Sequence, residues 1–494
     1  MKNILFLIIT FLSIASVDAQ VASDALKYSY IPQYGGTARA IGVGGAMGAL
    51  GGDFSAISTN PAGLGTYRAS EFTFTPSFHT AKTTSTLLNG GTVDVAQRAN
   101  SFNVDNLGIV FARHSPNSKW KTLNFAFGYN RFQNFGNTSY YDGTTIGSVT
   151  GRWRDQANIE GVDDFESQLA VETGALYKKT LANGSKVWVT DFDKNPAAGV
   201  NKNEITQITG SSGEMLLAFG GNYNEKIQIG AEIGIPIIRY SEIKTYREND
   251  KRNEVPYFEK LEYTQNKTTT GQGGLSSGVN AKLGIILKPV QFLRLGLAVH
   301  TPTAYALEDR YDSKLTYIYT DSVLVTNEAK SPDGNFKYKL STPWRVIGSA
   351  AVIVGKSGFL SADVEWADYS KMAFNFGKDE IIYQNTVNND ITTAYKSALS
   401  VRIGGEYVYD IFRFRAGVGL NGSPRTDKDF YNTTYSAGIG LRGEHFFMDL
   451  GWQNRRQKEN YIPYKLVETQ VNLEQKVTTS YVFNDYLLTL GIRF

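Results

Sequence analysis

The chain has 494 residues with a formal net charge of +3, a balance that implies neither nucleic acid nor a strongly acidic partner. It has no Cys, which excludes thiol catalysis, disulfide scaffolds, Cys-ligated zinc and lipidation at an N-terminal Cys. Its 28 Phe and 29 Tyr favour strands, and Tyr suits a boundary between apolar and wet surroundings.

Residues 1–19 read as an export signal. Lys2 gives the positive start, residues 4–15 the apolar run, and Val17-Asp18-Ala19 a small-residue site for cleavage before Gln20. No later stretch reaches the roughly 18 consecutive apolar residues of a membrane helix. Residues 20–70 form the next unit. Its centre, Arg39 to Gly65, is rich in Gly and Ala and ends in Asn60-Pro61-Ala62-Gly63. Such a segment suits a linker, a cap or a plug, depending on what the strands after it build.

From Glu71 to Phe494 the apolar period is two, the signal of strands. Runs are predicted over 71–78, 103–112, 123–132, 214–223, 227–237, 279–287, 292–300, 344–354, 359–369, 395–409, 412–420, 435–442, 446–454 and 481–494, about fourteen strands in all. After the first loop the connections alternate between short and long. The long ones fall at 133–212, 247–278, 301–341, 371–393, 422–432 and 458–479. Short turns on one side and long loops on the other are the form of an outer-membrane barrel. A soluble β-sandwich is the competing fold, but its strands have a mode of about five to six residues. The runs here approach the length of a membrane-crossing strand. The predicted fold is an all-β transmembrane antiparallel barrel in the cell outer membrane, with a small N-terminal hatch in its lumen.

The faces follow from cost. Leu399, Val401 and Ile403 share one face of their run, and Arg402 and Glu406 the other. Turning the run over would put Arg402 into lipid at about 2–4 kcal/mol. The same parity sends Arg294, His300, Arg345, Asp363, Glu365, Arg413, Arg415 and Asp449 inward. Two readings of the luminal arginines stand: they pair with Asp363, Glu365, Glu406 and Asp449, or one or two of Arg294, Arg345 and Arg402 hold an anionic head group.

Nothing in the sequence marks catalysis. His79, His114, His300 and His445 are scattered without metal-ligand spacing, and no nucleophile elbow is present. Gly42-Val43-Gly44-Gly45 follows no strand of a βαβ unit, so it is weak as a nucleotide loop. No enzyme, cofactor or metal is expected.

The opening segment also carries a resemblance. Residues 37–46 (TARAIGVGGA), 53–57 (DFSAI) and 60–63 (NPAG) resemble the N-terminal hatch of the FadL/TodX outer-membrane transporters. Residues 293–297, 342–345, 363–366 and 402–407 are similar to that family in a more generic way. The resemblance implies a fourteen-stranded barrel whose hatch, marked by Asn60, Pro61, Ala62 and Gly63, gates passive uptake of long-chain fatty acids or aromatic hydrocarbons. Ligand would leave sideways through a break in the wall, for which Gly128, Asn130 and Pro236 are candidates. The implied partners are a hydrophobic small molecule, outer-membrane lipid and, through the C-terminal strand ending at Phe494, the barrel-assembly machinery; a monomer that binds no nucleic acid is expected. The long polar loop 133–212 departs from the pattern. It favours a second reading: a barrel of this fold that binds a protein partner in a secretion or surface-assembly machine.

Overall fold

A computed structural model describes residues 22–32, 34–91, 95–274, 276–428, 432–464 and 475–494. The predicted export signal lies outside the described residues. Among them no helix is long and apolar enough to cross a membrane, which says nothing against crossing by strands.

Sixteen strands close a ring: β1 (Glu71–Leu87), β2 (Val95–His114), β3 (Trp120–Asn134), β4 (Gly199–Tyr223), β5 (Ile227–Asn249), β6 (Phe258–Gly271), β7 (Gly278–Val290), β8 (Leu293–His300), β9 (Ala304–Asp321), β10 (Arg345–Val354), β11 (Gly358–Asp368), β12 (Ser397–Tyr409), β13 (Phe412–Asn421), β14 (Asn432–Arg442), β15 (Phe446–Tyr461) and β16 (Val477–Arg493). All their pairings are antiparallel, and β16 returns to β1, matching Glu71 with Arg493 and Leu87 with Val477. The path runs β5–β6–β9–β7 at the outer end, where β6 and β9 pair over Phe258 to Gly271. Nearer the short turns β5 pairs directly with β7, from Ile227–Leu287 to Gly234–Asn280.

The expected long loops are therefore largely folded. β6 and β9, predicted as loop within 247–278 and 301–341, are strands of the closed ring. Residues 371–393 contain most of a helix, Ile381–Ala394, and 133–212 contains the strand Asn137–Ile146 and the start of β4. β1 and β2 likewise run far beyond the predicted 71–78 and 103–112 and turn close to Asn89. The cause is solvent. Above the membrane the outer face meets water instead of lipid, so a strand such as FEKLEYTQNKTTTG lacks regular alternation although it buries Phe258, Leu261 and Tyr263.

Outward faces of the lower wall expose Leu107, Ile233, Leu283, Leu297, Ile403 and Leu450, each between 47% and 64% accessible. An apolar band of that extent around a closed wall is a lipid-facing surface. Inward positions carry Glu214, Glu232, Lys282, Asp363, Arg402 and Asp449, all buried.

What buries them is the N-terminal segment. Its short helices α1 (Ala22–Ser29), α2 (Ala38–Gly42) and α3 (Phe54–Thr59), and the 3-10 turn Pro61–Thr66, touch inward positions around the ring. Contact is backbone to backbone, through glycines. A Cβ added at Gly404 (β12) would lie 2.0 Å from Val43 O, one at Gly230 (β5) 2.2 Å from Pro61 O, and one at Gly417 (β13) 2.3 Å from Gly44 N. These glycines stand opposite one another in the ladders, as Gly404–Gly417, Gly220–Gly230, Gly108–Gly128 and Gly438–Gly451. They form a belt free of side chains.

Gly404→Leu and Gly230→Leu are expected to lower stability by about 1–3 kcal/mol through overpacking and to expose Arg39 to trypsin. Gly348→Leu, where an added Cβ meets nothing within 4 Å, should do neither. Heat-modifiable gel migration and limited proteolysis read both effects.

Candidate functional site

Above the N-terminal segment lies a vestibule of about 680 Å³. α1 borders it through Asp24, Leu26 and Lys27, and the outer halves of the strands supply the walls. α1 is held by charge. Asp24 accepts from Lys27 at 2.8 Å and from Lys267 on β6 at 2.8 Å, while Lys27 lies 4.3 Å from the centre of the Tyr240 ring. Burial by itself pushes the Asp24 carboxyl up, but Lys267 and then Lys27 outweigh it and hold the group well below the usual carboxylate range. Tyr28 donates to Thr269 at 2.8 Å, and its ring joins an apolar cluster with Ile391 and Val387 of the helix Ile381–Ala394.

The motif residues lie deeper. Asn60 caps the 3-10 turn by accepting from Ala62 N at 3.1 Å, and its amide donates to Gly48 O at 2.7 Å and to Ile285 O on β7 at 3.3 Å. Pro61 occupies the first position of that turn, where a missing N–H costs nothing. Gly63 packs on Gly51: a Cβ on Gly63 would stand 2.9 Å from Gly51 Cα, and Gly51 has φ +67°. The motif thus ties two parts of the segment to each other and to the wall.

The three candidate arginines are all engaged within the protein. Arg345 and Arg402 both reach Glu365 at 2.6 Å, and Arg345 also donates to Ser29 O. Arg294 donates to Leu50 O at 2.8 Å. Asp363 accepts from Gly48 N at 3.0 Å. Arg415 is bound between Glu406 and Asp449, both at 2.7 Å, and Glu406 also takes Arg39 at 3.3 Å. Luminal charge here serves the N-terminal segment and its neighbours in the wall.

The candidate wall breaks are resolved by pairing. Gly128 is paired on both sides, with Gly108 and Leu216, and a Cβ there would lie 2.6 Å from the Phe54 ring. Asn130 is the last β3 residue paired with β2, opposite Asn106. Beyond it β1 still pairs with β2 as far as Val95. Among the described residues, the other edge of β2 over 95–105 has no ladder partner. The ladders kink here, with register shifts at Thr75/Pro76 and at Arg131/Gln133. The chain then crosses the inner face of β1: His79 Nε2 meets Gly136 O at 3.3 Å, and Thr83 donates to Thr138 O. Arg131 spans the seam, 3.2 Å from Asp105 and donating to Asn103 at 3.1 Å. A cavity of about 40 Å³ lies behind it, lined by His79, Asp105, Arg131, Gln133 and Arg455. At Pro236, β5 parts from β7, but Pro236 O accepts from Ser277 N at 2.8 Å and β6 takes over the pairing from Arg239. That position is a seam between partners.

Sequence reasoning missed the glycine belt, the Arg131 bridge and the tyrosines of the vestibule. The belt was visible only as frequent glycine. Its meaning depends on glycines of separate strands meeting at one height.

Asn60→Ala removes a cap and two donated bonds and should cost about 1–2 kcal/mol, read as a lower unfolding midpoint. Asp24, with its native pKa depressed, stabilises α1 fully above about pH 4, the unfolded value. That stability is lost as the pH falls through the lower native value. Hydrogen exchange over 22–29 should stay slow to about pH 4 and quicken below it, whereas Asp24→Asn should exchange fast at pH 7.

No family model matches the sequence. No curated protein matches it. Among solved structures, a Pseudomonas aeruginosa FadL homologue is similar at 13% identity and a TM-score of 0.53, covering 93% of this chain and 98% of that one. The TodX monoaromatic hydrocarbon channel deltaS2 mutant aligns at 12% identity and a TM-score of 0.52, with 93% and 99% covered. The P. putida toluene transporter TodX aligns at 11% and 0.50, with 94% and 99% covered. At such identities the likeness is one of fold, and over nearly its whole length this chain has the fold of the FadL and TodX outer-membrane channels.

Proposed function

We propose that the protein is an outer-membrane channel for passive uptake of hydrophobic small molecules, long-chain fatty acids or aromatic hydrocarbons, with residues 20–70 as its hatch. The membrane wall in this reading has fourteen strands, the ring without β6 and β9. Ligand enters the vestibule from outside, passes the end of the hatch, and leaves through the seam between β2 and β3 into the outer membrane. The seam above Asn130 is the observation that carries the reading. An apolar ligand gains about 0.8 kcal/mol per CH₂ by entering lipid instead of water, so a sideways exit releases it downhill. The firmly bonded part of the hatch, 34–67, blocks the straight path to the periplasm. α1, tied beside the vestibule through side chains to Lys267 and Thr269, is the part that ligand displaces in this reading. Likeness to a FadL homologue and to toluene and monoaromatic hydrocarbon channels supports the class of cargo.

One observation favours a second reading. The outer residues fold into a layer with its own core, including Trp153, Leu169, Phe192, Leu261 and Tyr317, and a rigid surface of that kind suits a protein partner.

Deleting residues 20–64 should raise single-channel conductance in planar bilayers; unchanged conductance removes the hatch reading. Proteoliposomes should take up toluene or oleate faster than protein-free liposomes. No uptake, together with a protein that co-purifies in fixed ratio, favours the second reading.

A further inference from the structure

Resting on the reading as a channel for hydrophobic small molecules, and replacing the fatty acids and hydrocarbons named above, we propose that Arg455 is the anion contact of the vestibule and that the preferred cargo is a ring-bearing carboxylate, an aromatic or alicyclic acid. The first observation is the lining. Of the described residues that border the vestibule, only Leu26, Ile208 and Val477 are aliphatic, whereas eight are Tyr and three are Phe. An alkyl chain finds few flexible apolar partners there. A flat ring finds aromatic faces and edges, in the offset and edge-on contacts that aromatic pairs favour. The polar groups between them receive substituents that a hydrocarbon lacks.

The second observation is where charge is left over. Three arginines line the vestibule. Arg152 is bound to Glu166 at 2.8 Å and Arg425 to Asp427 at 3.0 Å. Arg455 differs: its Nε has no hydrogen-bond partner, and among the described residues no carboxylate pairs with it. Asp485, which lines the same small cavity and feels the Arg455 charge, is hydrogen-bonded by His79 at 2.6 Å. The guanidinium lies 4.9 Å from the centre of the Phe483 ring, which orients its plane without neutralising it. A planar guanidinium so placed offers two parallel donors to a carboxylate.

The third observation is position. Arg455, Gln133 and Asn134 border both the vestibule and the small cavity behind the seam. Arg455 therefore stands at the neck between entry and exit. An acid held there by its carboxylate keeps its ring among the tyrosines and its head beside the seam that Arg131 bridges.

The test uses the full-length barrel in amphipol, with 1-naphthoate, 1-naphthylmethanol, naphthalene and decanoate as probes, titrated by calorimetry and followed by uptake into proteoliposomes. The wild-type protein should bind 1-naphthoate at least tenfold more tightly than 1-naphthylmethanol and than decanoate. Arg455→Ala should weaken 1-naphthoate by about tenfold to hundredfold and leave naphthalene unchanged, with Arg455→Lys in between. Equal binding of 1-naphthoate and its neutral alcohol, or equal binding of decanoate, overturns the proposal on wild-type protein alone, whether or not the variants fold. Naphthalene uptake without 1-naphthoate binding overturns it and leaves the channel reading standing. Uptake of no probe overturns both.

Discussion

The structure depends on one constraint: a stretch of main chain must lie against the inner wall of a barrel with no room for side chains between. Val43, Gly44, Gly48 and Pro61 bring their backbones to within contact of Gly404, Gly417, Gly296 and Gly230. Any Cβ at those wall positions meets a main-chain atom that cannot turn aside. Small residues on both surfaces are the only solution, which is why the segment is rich in Gly and Ala and why glycines face each other across neighbouring strands.

Close packing of that kind leaves the segment's peptide groups away from water, where each needs a partner. The wall supplies them one at a time. Arg345 takes Ser29 O, Arg294 takes Leu50 O, Asp363 takes Gly48 N, Thr489 takes Ala38 N, and Asn124 takes Leu64 O and Tyr67 O. Charged side chains in the lumen then have a double task, satisfying each other and the segment. An arginine that looks available for a ligand when judged by parity alone is already engaged. Arg455, which no carboxylate pairs with among the described residues, lies higher, at the vestibule.

The wall is weakest where its ladder is interrupted. β2 and β3 separate beyond Asn106 and Asn130, and the chain after β3 stays paired with β4 but passes inside β1 instead of joining the free edge of β2. The edge so exposed is bridged by a side chain, Arg131, instead of a hydrogen-bonded strand. Side-chain bridges open at far lower cost than ladders, which is why the proposed function places ligand exit there. In that proposal, entry through a polar, tyrosine-lined chamber and exit beside the bridge are the two ends of one route.

Much was legible in the sequence. The alternation of apolar and polar residues along 395–409 and its neighbours determined which faces meet lipid, because the strand period is a local property and only the membrane imposes an apolar outer face. The Asn60-Pro61-Ala62-Gly63 motif was legible in the sequence, but its role as a cap that ties Gly48 and Ile285 together was not. Tertiary structure alone decided the rest. The extracellular strands β6 and β9 join the closed ring although no alternation marks them, since their outer faces meet water instead of lipid and their buried residues, such as Leu261 and Tyr317, join a core built from distant segments. Which glycines meet the segment, which arginines it engages and where the β2–β3 ladder ends depend on contacts such as that of Ala38 with Thr489, 451 positions apart. Local pattern carries no information about partners at that distance; only closure of the barrel brings them together.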